Sequence, residues 1–211
     1  MRVHTLCVGM LQTNCHIVFD LDQGIAACID PGGNAEEILA FLKEHNLTLL
    51  DIYLTHSHFD HILAAAPLRD ATGARVVVHA QEEEGLLSAS SSLYLSIASE
   101  PYRACPPDIR IYGGEKTMLG ETEVYFIHTP GHSPGSVCIR IENLLFTGDT
   151  LFEGTCGRWD LRGGNLLALR SSLRYLYNLS EDYIVYPGHG RPTILSIEKA
   201  SNEAMLSAIN V

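Results

Sequence analysis

Seven consecutive residues, Thr55-His56-Ser57-His58-Phe59-Asp60-His61, constrain this chain more than any other stretch. Three histidines and one aspartate fall within six positions. They follow an apolar run, Leu49–Leu54, that reads as a buried strand. They precede Ile62-Leu63-Ala64-Ala65-Ala66, which reads as the start of a helix. The cluster therefore belongs in a strand-to-helix loop, where a rigid scaffold holds functional groups in the open. Neutral imidazole and carboxylate suit zinc, iron and similar ions. His56 and His58, two apart, reach one ion. Asp60 and His61 point elsewhere and serve a second.

Three further polar clusters follow apolar strand-like runs. Thr129-Pro130-Gly131-His132-Ser133-Pro134-Gly135 has one strong ligand, His132, on a backbone fixed by prolines and glycines. Thr147-Gly148-Asp149-Thr150 follows Leu144–Phe146. Pro187-Gly188-His189-Gly190 follows Ile184-Val185-Tyr186. Strand ends along one sheet edge can converge. Seven ligands exceed the needs of one tetrahedral ion and suffice for two. The division we expect is His56, His58 and His132 on the first ion, and Asp60, His61 and His189 on the second. Asp149 bridges them. Two such ions acidify a shared water and polarise a carbonyl or phosphoryl oxygen, so hydrolysis is the natural chemistry. Asp60 is also placed to orient the nucleophile or take its proton. With no thiolate in the set, iron and manganese stay open beside zinc. His4, His16, His45, His79 and His128 lack such company and read as packing or surface residues.

The remaining pattern is of strands and helices. Val3–Val8, Cys15–Phe19 and Ile25–Ile29 read as short strands separated by turns. After Asp30-Pro31-Gly32-Gly33, Asn34 is expected to cap a helix with Glu36 and Glu37 in its first turn. One helix is predicted from about Asp60 to Thr72, then a strand at Arg75–His79. From Gln81 to Gly114 the chain is less regular. Glu82-Glu83-Glu84 reads as a solvated helix start. The whole stretch is either a cover for the site or a plain surface loop. Strands return at Thr117–Leu119, Glu123–His128, Ser136–Ile141, Leu144–Thr147 and Tyr183–Tyr186. Leu166, Leu169, Leu173 and Leu176 mark a helix, and a closing helix runs from Ser196 to Asn210. Each half is a run of strands, then strands alternating with helices. That suits two packed sheets with helices outside, in one domain over residues 1–211.

Composition narrows the function. A formal net charge of −11 over 211 residues disfavours a nucleic-acid surface, which needs clustered Lys and Arg. No apolar run reaches about 18 residues, so no transmembrane helix is expected, and no N-terminal signal pattern is seen. The six cysteines form no C-x-x-C pair and fit reduced thiols in a cytoplasmic protein. Cys156 stands apart in a Gly-rich loop.

These residues resemble the metallo-β-lactamase superfamily. The signature is T-H-x-H-x-D-H at 55–61, P-G-H at 130–132, G-D-T at 148–150 and P-G-H-G at 187–190. The resemblance implies an αββα sandwich: two mixed β-sheets with helices on both outer faces. Asp30-Pro31-Gly32-Gly33 is similar to the family's early Asp-Pro-Gly turn, whose Asp supports the site from behind the ligands. Thr55, opening the signature, is placed with it. Gly148–Phe152 followed by Gly157-Arg158 resembles glyoxalase II, the hydroxyacylglutathione hydrolases. This implies two divalent ions, most often zinc, and attack of a metal-bound hydroxide on the thioester of S-D-lactoylglutathione. Arg158 matches the basic residue that binds glutathione there. It suits a carboxylate anchor, or equally a surface ion pair. The chain departs from the long enzymes. It ends soon after the last metal histidine, without their C-terminal helical domain, and Asp160 replaces an aromatic residue. It is more similar to the short bacterial glyoxalase II-like hydrolases, whose substrate is a small thioester or ester.

Three other activities stay open. A persulfide dioxygenase of the same fold would use one iron on His56, His132 and Asp149. Hydrolysis of a β-lactam, lactone or phosphodiester is another reading. Asp149 counts against the β-lactam, since most class B β-lactamases lack it, and the negative charge counts against a nuclease. A non-catalytic metal-binding or partner-binding protein is the last.

Overall fold

The computed structural model describes residues 1–94 and 101–209. The first sheet contains β1 (Arg2–Val8), β2 (Thr13–Asp20), β3 (Ile25–Ile29), β4 (Thr48–Tyr53), β5 (Arg75–His79) and β6 (Ile109–Ile111), in chain order. Its first three strands run antiparallel and its last four parallel. The parallel crossovers carry α1 (Ala35–Glu44), α2 (Phe59–Ile62), α3 (Ala65–Thr72) and α4 (Glu83–Leu87).

The second sheet starts with the antiparallel strands β7 (Lys116–Leu119), β8 (Thr122–His128), β9 (Val137–Ile141) and β10 (Leu144–Gly148). A small hairpin, β11 (Leu151–Phe152) with β12 (Thr155–Cys156), and α5 (Leu166–Tyr177) follow. Then β13 (Ile184–Pro187) lies parallel to β10, and β14 (Thr193–Ile194) pairs antiparallel with β13. The chain turns into α6 (Leu195–Ser201) and α7 (Glu203–Ile209).

Side-chain alternation explains the layers, because successive residues of a strand face opposite ways. In β3, Ala26 and Cys28 pack outward with Ile38, Leu42 and Leu68 of α1 and α3. Ala27 and Ile29 pack inward with Phe126, Ile139 and Phe146 of the second sheet. In β10, Leu144 and Phe146 face inward, and Leu145 joins Leu169, Leu173 and Met205 of α5 and α7. Strands covered on both faces read as continuous apolar runs, as these do. The result is the sandwich expected from the sequence: two mixed sheets with helices on both outer faces.

Several expectations need correction. Asn34 does hold the N-cap of α1, its carbonyl accepting from Glu37 and Ile38 N–H, but it is left-handed (φ 56°) and its side chain makes no cap; its Oδ1 accepts from Gly9 N–H and its Nδ2 donates to Glu37. The single helix from Asp60 is two. Ala64 N–H donates to the carbonyl of Pro31, 2.9 Å away, and so leaves the helical ladder. Pro67 also lacks the N–H a continuous helix would use, though it is tolerated in the first turn of α3. The closing helix is likewise two, broken at Asn202; Asn210 lies outside the described residues, as do residues 95–100 of the excursion. Glu82 is no solvated helix start: it is buried in a 3₁₀ turn, Ala80–Glu82. All six cysteines are free thiols. No helix among the described residues is long and apolar enough to cross a membrane.

Candidate metal centre

The four polar clusters meet at one end of the seam between the sheets. The β4–α2 loop delivers His56, His58, Asp60 and His61 from the first sheet. The loops after β8, β10 and β13 deliver His132, Asp149 and His189 from the second. Ligand-capable atoms of His56, His58 and His132 lie within 4.8 Å of one another, as do those of Asp60, His61 and His189. The structure therefore assembles both triads expected from the sequence. Asp149 stands between them. Its Oδ2 is 3.5 Å from His132 Nε2 and 3.7 Å from His189 Nε2, and its Oδ1 is 3.5 Å from His61 Nε2. Asp30, His56 and His61 form a third such group, but Asp30 is occupied otherwise.

Asp30 accepts from Thr55 N–H (2.7 Å), Thr55 Oγ–H (2.6 Å) and His61 Nδ1–H (2.9 Å). Thr55 Oγ, having donated its proton to Asp30, accepts from His56 Nδ1–H at 3.0 Å. His132 Nδ1–H donates to the carbonyl of Arg158 at 2.8 Å. These partners fix the ring orientations: His56, His61 and His132 each direct Nε2 into the site, where His132 Nε2 meets His58 Nδ1 at 2.8 Å. Asp30 and Thr55 thus bond to the ring nitrogens of His61 and His56 that face away from the cluster.

The electrostatics fit cations. Burial, then the neighbouring His61 and His58, hold His56 far below the usual imidazole range. Burial and His132 hold His58 down to about 3. Both are neutral, the form that ligates. His61 goes the other way. Burial opposes its charge, but Asp60, Asp149 and Asp30 together outweigh burial and push it up to about 10. Burial alone would raise Asp60; His61, His189 and a 2.8 Å bond from Thr13 Oγ–H hold it well below the usual carboxylate range instead. Three carboxylates around one imidazole call for positive charge.

Two observations test whether metal fits. Among the described residues, His56 Nε2, His61 Nε2 and Asp149 Oδ1 are buried without a hydrogen-bond partner, and such orphans are rare unless a ligand or water completes them. Around a tetrahedral ion with bonds of about 2.1 Å, ligand atoms sit about 3.4 Å apart; the His–carboxylate distances here are 3.3 to 3.7 Å. The His/Asp cluster is compatible with two metal ions.

Close approach sets the backbone. A Cβ on Gly188 would lie 2.3 Å from Asp149 Oδ1 and 2.8 Å from His61 Cε1. Only glycine lets the P-G-H-G loop pass this near the Asp149 carboxylate.

Sequence reading missed the buried start of β2. Thr13 holds Asp60, while Asn14 Nδ2 donates to the carbonyls of Pro187 and Gly190 and His16 Nε2 to that of Pro187. Their only signal is a polar opening, Thr13-Asn14, to an apolar strand. Arg158 lines the cavity, but its guanidinium forms a two-bond pair with Asp160, at 2.7 and 2.9 Å.

The profile of the metallo-beta-lactamase superfamily matches residues 8–189. The chain belongs to that superfamily. It is similar to the probable metallo-hydrolase YqgX of Bacillus subtilis, 36% identical over 205 residues and covering 96% of each chain. It is also similar to the hydroxyacylglutathione hydrolase GloC of Haemophilus influenzae, 33% identical over 213 residues, covering 96% of this chain and 97% of that one. Among solved structures, the BLEG-1 B3 metallo-beta-lactamase superposes with a TM-score of 0.90 at 36% identity, covering 97% of this chain and 99% of that one. The superfamily match and these relatives support a metal-dependent hydrolase.

Proposed function

We propose that this superfamily member is a dinuclear hydrolase of small acyl thioesters, with S-D-lactoylglutathione or a close relative as substrate. The observation that carries the reading is Asp149, poised between two separate three-ligand groups at the floor of one cavity. His56, His58 and His132 would hold one divalent ion and Asp60, His61 and His189 the other, zinc first and iron or manganese as alternatives. When bound, such ions supply Lewis acidity and an acidified water.

The chain's own residues do the rest. Thr13 fixes one oxygen of Asp60, so this carboxylate is oriented to steer a nucleophile or accept its proton. The cavity, about 460 Å³, is walled by Leu11, Phe59, Leu93, Phe152 and Leu161. Those side chains form an apolar wall that suits a small acyl group. Among the described residues Arg158 is the one Lys or Arg on the lining. The likeness to GloC supports the thioester class. The likeness to BLEG-1 favours a second reading, β-lactam hydrolysis in the same cavity.

Purified protein should hydrolyse S-D-lactoylglutathione with two metal ions per chain, and Asp149→Ala should abolish turnover together with full metal occupancy. Turnover of a chromogenic cephalosporin but not of thioesters would move the assignment to the second reading. One iron per chain, oxygen uptake with a persulfide and no hydrolysis would sink both in favour of an oxidoreductase.

A further inference from the structure

Glu82 has no place in the ligand set, yet it touches both halves of the three-histidine group. Its side chain is buried, 4% exposed. One carboxylate oxygen accepts from Ser57 N–H at 2.9 Å and Ser57 Oγ–H at 2.6 Å. The other accepts from Gly135 N–H at 2.7 Å. Ser57 lies between His56 and His58; Gly135 closes the loop that carries His132. The two loops come from opposite sheets, so the carboxylate spans the seam.

The surroundings are cut to this contact. A Cβ on Gly135 would lie 2.7 Å from Glu82 Cγ, and a Cβ on Gly85 would lie 2.1 Å from Ser57 Oγ. Within the second loop, Ser133 N–H and Ser136 Oγ bond at 3.1 Å and the two serine hydroxyls at 2.7 Å, making the segment from His132 to Gly135 stiff. None of the ion pairs among the described residues includes Glu82. A buried carboxylate without a cation persists only where its donors are fixed. Three directed donors from two loops make it a gauge of their separation.

We propose that Glu82 is a positioning residue that sets the spacing of His56 and His58 against His132, and so governs the affinity of that one metal site. Among the described residues it makes no hydrogen bond or ion pair with Asp60, His61 or His189, so the second site keeps its own ligands. This inference rests on the dinuclear reading above. Groups that orient ligands from behind commonly carry a 10- to 100-fold share of metal affinity.

The test is a stepwise zinc titration of metal-free protein against a chromophoric chelator, repeated with cobalt for its absorption bands. His58→Ala identifies which step belongs to the three-histidine site. Glu82→Gln keeps size but replaces one accepting oxygen with a donor. It should weaken that step by about 10- to 100-fold, change the cobalt bands of that site, and leave the other step in place. Ser57→Ala, which removes a single donor, should shift the same step by a smaller factor and guards against a Glu82 variant that does not fold. Equal weakening of both steps, or unchanged titrations with only a lower melting temperature of the metal-free chain, would overturn the proposal. A wild-type protein that binds fewer than two ions would instead remove the dinuclear reading itself.

Discussion

The hydroxyl of Thr55 decides which nitrogen His56 presents: it gives its one proton to Asp30 and takes one from Nδ1, leaving Nε2 bare. Residue identities of this kind were legible in the sequence, because ligand chemistry is carried by side-chain type and the T-H-x-H-x-D-H spacing is compact. Pairing partners were not. Nothing in the order of residues says that Arg158 is held by Asp160 rather than left open for a ligand, since both readings use the same guanidinium. Both side chains are largely exposed, so the pair is screened and readily opened. It nevertheless competes with any substrate carboxylate. Asp160→Asn should therefore lower KM for S-D-lactoylglutathione by about two- to five-fold, the range expected for an exposed pair. Its kcat should hold, and an uncharged thioester should show no change in either constant. Steady-state kinetics on the two substrates decides it; an unchanged KM for the anionic one means that Arg158 does not meet the substrate.

Helices and strands of the core were legible as elements because both-face burial writes long apolar runs, and helical periodicity marked α5 from four leucines. Their ends were harder. The breaks at Ala64 and Asn202 arise from partners remote in sequence. Asn202 Nδ2 donates to the carbonyls of Phe152 and Thr155 and to Glu198, and its Oδ1 accepts from Met205 N–H at the start of α7. Glu198 in turn accepts from Gly154 N–H and Thr193 Oγ–H. This buried pair fastens the β11–β12 hairpin, which supplies Phe152 to the cavity wall, onto the C-terminal helices. Asn202→Ala takes the donor away from two hairpin carbonyls and from the buried Glu198 carboxylate, and removes a cap. It should cost roughly 2–3 kcal/mol, read as a lower midpoint in denaturant. A loss under about 0.5 kcal/mol, the level of an ordinary surface change, would show that the junction carries no such weight.

At the scale of the molecule, the two-sheet sandwich followed from the order of elements, but the contacts that lock one sheet's edge to the other's loops did not. His16 is one of these: it was read as packing, and it is fully buried with its ring bonded to the carbonyl of Pro187. Burial, against the Pro187 bond, holds its pKa down to about 4 from an ordinary 6.5. Between those values the unfolded chain binds the proton and the folded chain does not, so stability rises with pH across that window and is lost on acidification. The contribution of His16 should shrink by about 2 kcal/mol from pH 7 to pH 5. Denaturant midpoints of metal-free wild type and His16→Gln at the two pH values isolate it, because the other histidines titrate alike in both. Equal pH dependence in the pair would show that His16 accepts a proton in place. The partition of the proposed ligands across the seam has a further consequence, for biosynthesis. Each triad takes two ligands from the first sheet and one from the second, and the last of them is His189. A nascent chain carries the T-H-x-H-x-D-H loop early, yet neither triad closes until its second-sheet partner has left the ribosome and docked. Loading of ions on these proposed triads would thus come late, only after both sheets have found each other.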